Sequence, residues 1–134
     1  MDERQSDPQC LIVADADVLI RNALAEYLRN CGYKVFEAAM SDEVIIAFEE
    51  GAAAIDALLA DAELPRRLNA FQLRMWVRGH YPDAEILLAG SVDAAARAAG
   101  HLCDEGPHLA RPYDAESVAA HIKRLLSSAR RRKT

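Results

Sequence analysis

Strand and helix signals alternate along the whole chain and predict an α/β fold, a parallel sheet with helices on both faces. Three observations carry this reading. Two short apolar runs, Cys10–Ala14 and Ala57–Ala60, lack period-two alternation and suit strands covered on both faces. Each is followed at once by an aspartate, Asp15 and Asp61, at the position where open α/β sheets bind ligands, just outside the carboxyl edge. The connections are short and punctuated by Gly32, Gly51, Pro65 and Pro82.

The 134 residues suit one domain with one core. Residues 1–9 read as a loose lead-in, 10–129 as the folded unit and 130–134 as a basic tail. Cys10–Ala14 is the first strand, and Asp17 can cap the helix after it. Ile20, Leu24, Leu28 and Cys31 recur there at helical spacing, with Arg21, Glu26 and Arg29 off the stripe and Gly32 as the stop. Lys34–Ala38 is a second strand. Ser41 is placed to cap a helix carrying Val44, Ile45 and Phe48, ended by Gly51. The third strand ends at Asp61, and Pro65 keeps it from continuing into a ladder. A helix follows over about Asn69–His80, with Trp76 as a packing residue. Glu85–Ala89 is the fourth strand and Asp93–Ala99 a short alanine-rich helix. Gly100 and Gly106 bracket a loop, and Pro107–Ala110 is a short fifth strand. Asp114 can cap a last helix with Val118, Ile122, Leu125 and Ala129 on one face.

The net charge of −5 is uneven. Taking the four basic residues at 130–133 from the total of 16 leaves 12 against 21 acids, a body of −9. An acidic body argues against nucleic acid as the main partner. No apolar run approaches the ~20 residues that cross a bilayer, and the polar start of the chain is no signal peptide, so no membrane partner and a cytoplasmic location are expected. Cys10, Cys31 and Cys103 are odd in number and widely spaced, and reduced, buried thiols are the expectation in that compartment. His101, Cys103 and His108 fall short of the four tightly spaced ligands of a structural zinc site.

Four stretches carry a family resemblance. Leu11-Ile-Val-Ala-Asp15-Ala16-Asp17-Val-Leu-Ile-Arg21 resembles the opening of a response-regulator receiver domain. Asp61, with Pro65 four positions on, resembles that family's phosphoacceptor strand and loop. Ile86-Leu-Leu-Ala89-Gly90 resembles its fourth strand, and Arg111-Pro112-Tyr113-Asp114 the Lys-Pro-Phe/Tyr turn after its fifth. The likeness holds from about Cys10 to Leu126. It implies a flavodoxin-like, doubly wound sheet of five parallel strands in the order 2-1-3-4-5 with five helices.

The resemblance also implies two-component phosphorelay signalling, with Asp61 accepting a phosphoryl group from the phosphohistidine of a sensor histidine kinase or phosphotransfer protein. A carboxylate and a phosphoryl group of like charge need Mg²⁺ between them. By the family's pattern Asp15, Asp61 and the backbone carbonyl of Glu63 would hold it. Ala16 stands where a second acid belongs, so Mg²⁺ is expected to bind weakly or not at all. The switch positions map to Ala89, His108, Arg111 and Pro112. Ala89 replaces the usual hydroxyl, His108 an aromatic and Arg111 the lysine. Arg111 keeps the positive charge as a wider, planar fork that can sit on Asp61 as a fixed counter-ion.

Two signalling readings therefore stand side by side: a phosphorylated receiver, and a pseudo-receiver that acts through fixed protein–protein contacts. Neither is an enzyme. Both require a downstream protein partner, because 134 residues leave no room for a separate output domain, and both leave a homodimer open. A remote third reading takes Asp15 and Asp17 as the nucleophile and acid/base of a haloacid-dehalogenase-like phosphohydrolase.

Overall fold

The computed structural model of the protein describes residues 9–51, 54–65, 68–105 and 115–133. The elements run β1 (Cys10–Ala14), α1 (Val18–Asn30), β2 (Lys34–Ala38), α2 (Ser41–Glu50), β3 (Ala57–Asp61), α3 (Ala70–His80), β4 (Glu85–Ala89), α4 (Val92–Glu105) and α5 (Ala115–Lys133). Among the described residues the four strands form one parallel sheet, order β2-β1-β3-β4. The expected fifth strand at 107–110 lies outside the described residues, as do His108, Arg111, Pro112 and the cap Asp114.

Local signals account for most of these elements. Asp17 caps α1, its carboxylate accepting from the N–H groups of Leu19 (2.9 Å) and Ile20 (3.3 Å). At the other end Gly32 has φ 108°, its N–H reaches Arg29 O and the N–H of Tyr33 reaches Leu28 O, a Schellman closure that only glycine enters without strain. Asn69 and Gln72 form a reciprocal capping box at the start of α3.

The sheet separates two apolar layers. Leu11, Val13 and Leu59 face α1, α4 and α5. Ile12, Leu58 and Ala60 face α2 and α3, where Phe48 stacks at 4.8 Å on Tyr81 and meets Trp76 edge-on at 6.2 Å. Helix α5 lies against α1 and α4 through Val118, Ala119 and Ile122.

Four expectations are corrected. Ser41 does not cap α2: Met40 holds the cap position with no side-chain bond, and Ser41 is fully buried. Its hydroxyl accepts from Leu68 N (3.2 Å) and its own N–H donates to Pro65 O (3.2 Å), tying the loop after β3 to the start of α2. Helix α4 does not stop at Ala99. It runs through Gly100 to Glu105, because Ala95, Ala96, Ala99, Leu102 and Cys103 continue one buried stripe, and packing overrides the ~1 kcal/mol that a helical glycine costs. On α5, Leu126 and not the expected Leu125 packs against the core with Val118 and Ile122. Finally, the cysteines are not all reduced. Cys31, the C-cap of α1, is bonded to Cys103 of α4 across 72 residues, with the Cα atoms 5.6 Å apart. Cys10 is free and buried, and burial raises its thiol pKa.

Candidate functional site

The carboxyl edge of the sheet holds a cleft of about 210 Å³ whose rim includes Asp15, Asp61, Glu63, Ala89, Gly90 and Ser91. Register builds it. Ala14 is paired with Ala60 on the neighbouring strand, so the next residue of each strand, Asp15 and Asp61, comes to the same edge side by side. Neighbouring strands lie ≈ 4.8 Å apart. Asp61 is in turn paired with Ala89 of β4, so the position opposite it carries a methyl group and no hydroxyl.

Asp15 is buried, at 8% exposure. Its N–H donates to Ala38 O at 2.9 Å, and its carboxylate accepts from Asp17 N at 2.9 Å. Burial pushes its pKa from an ordinary 3.8 up to about 6. The Asp17 N–H opposes that rise, the charges of Asp61 and Asp17 add to it, and Arg21 works against it. Asp61 is half-buried, and its carboxylate accepts from Glu63 N at 3.2 Å within a turn closed by Leu64 N on Asp61 O at 3.1 Å. Asp17 lies beside the site, with its carboxylate engaged as the helix cap.

Two residues of the site were not singled out by sequence reasoning. Arg21 was read only as lying off the apolar stripe of α1. It reaches over the end of β1, donating to Asp15 O at 3.0 Å and pairing with Glu37 of β2 at 3.2 Å. It is the cation closest in effect to Asp15 among the described residues, and it braces the backbone that carries that carboxylate. Ser91 lines the cleft two positions after Ala89 and caps α4, its hydroxyl oxygen accepting from Ala94 N at 3.1 Å. The cap brings the positive end of the α4 dipole to the cleft. A serine just ahead of an alanine-rich helix was the available sequence signal.

Two carboxylates and a backbone carbonyl are hard oxygen donors of the kind Mg²⁺ takes. Like-charge pressure on Asp15 fits a cation at this edge. Ala16 adds no ligand, and among the described residues no three His, Cys, Asp or Glu side chains converge. The donor set therefore fits a cation held by few protein ligands. Of the zinc residues considered, Cys103 is committed to the disulfide.

No protein-family model matches the chain. Solved receiver structures do. A response-regulator receiver domain protein from Clostridium thermocellum superposes with TM-score 0.58 at 21% identity, covering 91% of this chain and 97% of that one. The chemotaxis response regulator CheY4 of Vibrio cholerae gives 0.56 at 21%, covering 88% and 98%. The chain thus has the fold of response-regulator receiver domains, the class that its four sequence stretches resemble. Among curated proteins, the transcriptional regulatory protein GltR of Pseudomonas aeruginosa is 29% identical over 130 aligned residues, 89% of this chain. The match takes in 49% of GltR, so the chain spans about half the length of that relative. No helix among the described residues is long and apolar enough to cross a membrane.

Proposed function

We propose that the chain is a receiver module of two-component signalling that accepts a phosphoryl group on Asp61. The observation that carries this is the position of Asp61: half-buried at the mouth of the cleft, beside buried Asp15 and facing the capped N-terminus of α4. In the transfer, the phosphorus–nitrogen bond of a donor phosphohistidine breaks, a bond forms to a carboxylate oxygen of Asp61, and the imidazole takes up a proton. Asp15, Asp61 and the Glu63 carbonyl are the groups that would hold Mg²⁺, which when bound neutralises the carboxylate and the incoming phosphoryl group. Arg21 keeps the Asp15 backbone in place. The Ser91 hydroxyl and the first N–H groups of α4 are the donors available on the β4 side, where Ala89 offers none.

The partners in this reading are a sensor histidine kinase or phosphotransfer protein and a downstream protein. The test is intact mass after incubation with Mg²⁺ and a small acyl phosphate. The native chain is expected to gain one phosphoryl mass and Asp61→Asn none. Equal labelling of the two would remove Asp61 from the role.

The methyl group of Ala89 opposite Asp61 favours a second reading, a pseudo-receiver set in one state, with Arg111 as the counter-ion to Asp61. There, Asp61→Asn abolishes partner binding while phosphodonors change neither mass nor binding.

A further inference from the structure

Helices α2 and α3 lie side by side on one face of the sheet, and their shared outer surface carries three large apolar side chains. Ile46 is 51% exposed, Phe71 65% and Met75 74%. Helical spacing accounts for each. Ala70, Leu73 and Val77 are buried beneath α3, which turns Met75, and Phe71 one turn before it, away from the sheet. Ser41, Val44 and Phe48 are buried beneath α2, which turns Ile46 away in the same manner.

Charge divides between the same two helices. Helix α2 holds Asp42, Glu43, Glu49 and Glu50 and no base, while α3 holds Arg74 and Arg78 and no acid. Both helices start at the carboxyl edge, where Ser41 is hydrogen-bonded to Pro65 and Leu68, just ahead of α3. Counting along each helix from there sets Ile46 level with Met75 and Glu50 level with Arg78. Sideways, Trp76 marks the flank of α3 that faces α2, through its contact with Phe48. Arg78 falls on the other flank, toward β4, and by the same spacing Glu50 falls on the flank of α2 turned away from α3.

We propose that this surface binds a second copy of the chain, α2 of each protomer on α3 of the other, about a two-fold axis parallel to the helices. The rotation lays Ile46 of one protomer on Phe71 and Met75 of its partner. It also exchanges the flanks, so that Glu50 of each protomer meets Arg78 of the other. Symmetry supplies the acidic helix and the cationic helix together, in the spacing that each needs. Placing α2 on α2 would instead face acid with acid, and α3 on α3 would face arginine with arginine. The two helices have 10 and 11 residues. Their joint face measures roughly 16 by 20 Å, short of the ~800 Å² per partner of a stable interface, so the dimer is weak and reversible. Its charged flanks make it sensitive to salt. Dimerisation here requires no phosphoryl group on Asp61.

Sedimentation velocity of the full chain between about 10 µM and about 1 mM, in low salt, reads the association. The average mass is expected to rise from one chain toward two, and about 0.5 M salt is expected to reverse the rise. Arg78→Glu and Glu50→Arg, both at exposed positions, are each expected to weaken association at least fivefold, because each homodimer then meets like charges twice. An equal mixture of the two variants is expected to associate again, to within about twofold of the native chain, since one half of the mixed dimer is native and the other is charge-reversed. Recovery in the mixture also shows that both variants are folded. A monomer up to about 1 mM would overturn the second copy as the occupant and leave the face to a different protein. A native dimer that neither variant weakens, or variants that weaken it with no recovery on mixing, would overturn the pairing of α2 with α3. Species that grow beyond two chains would overturn the two-fold closure.

Discussion

Asp15→Asn is expected to stabilise the protein by an amount that grows as pH rises from about 4 to about 7 and levels off above that. Asp15 is buried beside Asp61, and its pKa rises from 3.8 to about 6. A carboxyl raised in the folded state binds its proton more tightly there than in the unfolded chain. Between the two pKa values the folded state holds more protons, so stability falls as pH rises through that window. At pH 7.5, above both values, the two-unit shift corresponds to about 3 kcal/mol of destabilisation, and at pH 4.5 to about 1 kcal/mol. Asparagine removes the charge, and its Oδ1 can still accept the bond from Asp17 N. The variant's advantage should therefore widen by about 2 kcal/mol between pH 4.5 and pH 7.5. Paired urea titrations at the two pH values measure it, and at pH 7.5 the advantage amounts to roughly 10 °C in Tm. A difference that does not change with pH, or a variant less stable than the native chain at pH 7.5, would refute the assignment of strain to this carboxylate.

Other outcomes follow from the same geometry. Ala16→Asp should restore a missing oxygen ligand and tighten Mg²⁺ about tenfold or more, read by calorimetric titration; equal affinity in the native chain would show that Ala16 costs nothing. Leu58→Ala, at the centre of the α2–α3 layer and fully buried, should cost about 2–5 kcal/mol in chemical denaturation. Asn69→Ala should cost about 1 kcal/mol by removing the capping box of α3, and Asn69→Ser should recover most of it. Ser41→Ala leaves the Leu68 N–H without its acceptor and should raise hydrogen exchange in the loop after β3 more than in α2 itself.

Much of the frame was legible along the chain. Strand β1 shows as one unbroken apolar run, the Asp17 cap rests on N–H groups two and three residues on, and the Gly32 stop needs only its own turn. The pairing of Asp15 with Asp61 was legible for a related reason: two apolar strands of similar length, each ending in an aspartate, need only a parallel register to bring those residues to one edge. Functional roles were harder to read. Arg21 was read only as off the apolar stripe because helical periodicity says which way a side chain leaves the helix, and a long guanidinium can still bend back over the strand end. Ser41 has the residue type of a cap, yet its hydroxyl serves a loop 27 positions away.

By itself, the sequence determined the alternation of strands and helices, most of the helix ends and the two aspartates at the sheet edge, since each follows from local propensity, capping or periodicity. Tertiary structure alone decided the bridge between Cys31 and Cys103, the face on which α4 lies and its passage through Gly100. Two thiols 72 residues apart carry no spacing signal, and the small apolar stripe of α4 suits either face of the sheet until its contacts with α1 and α5 choose one.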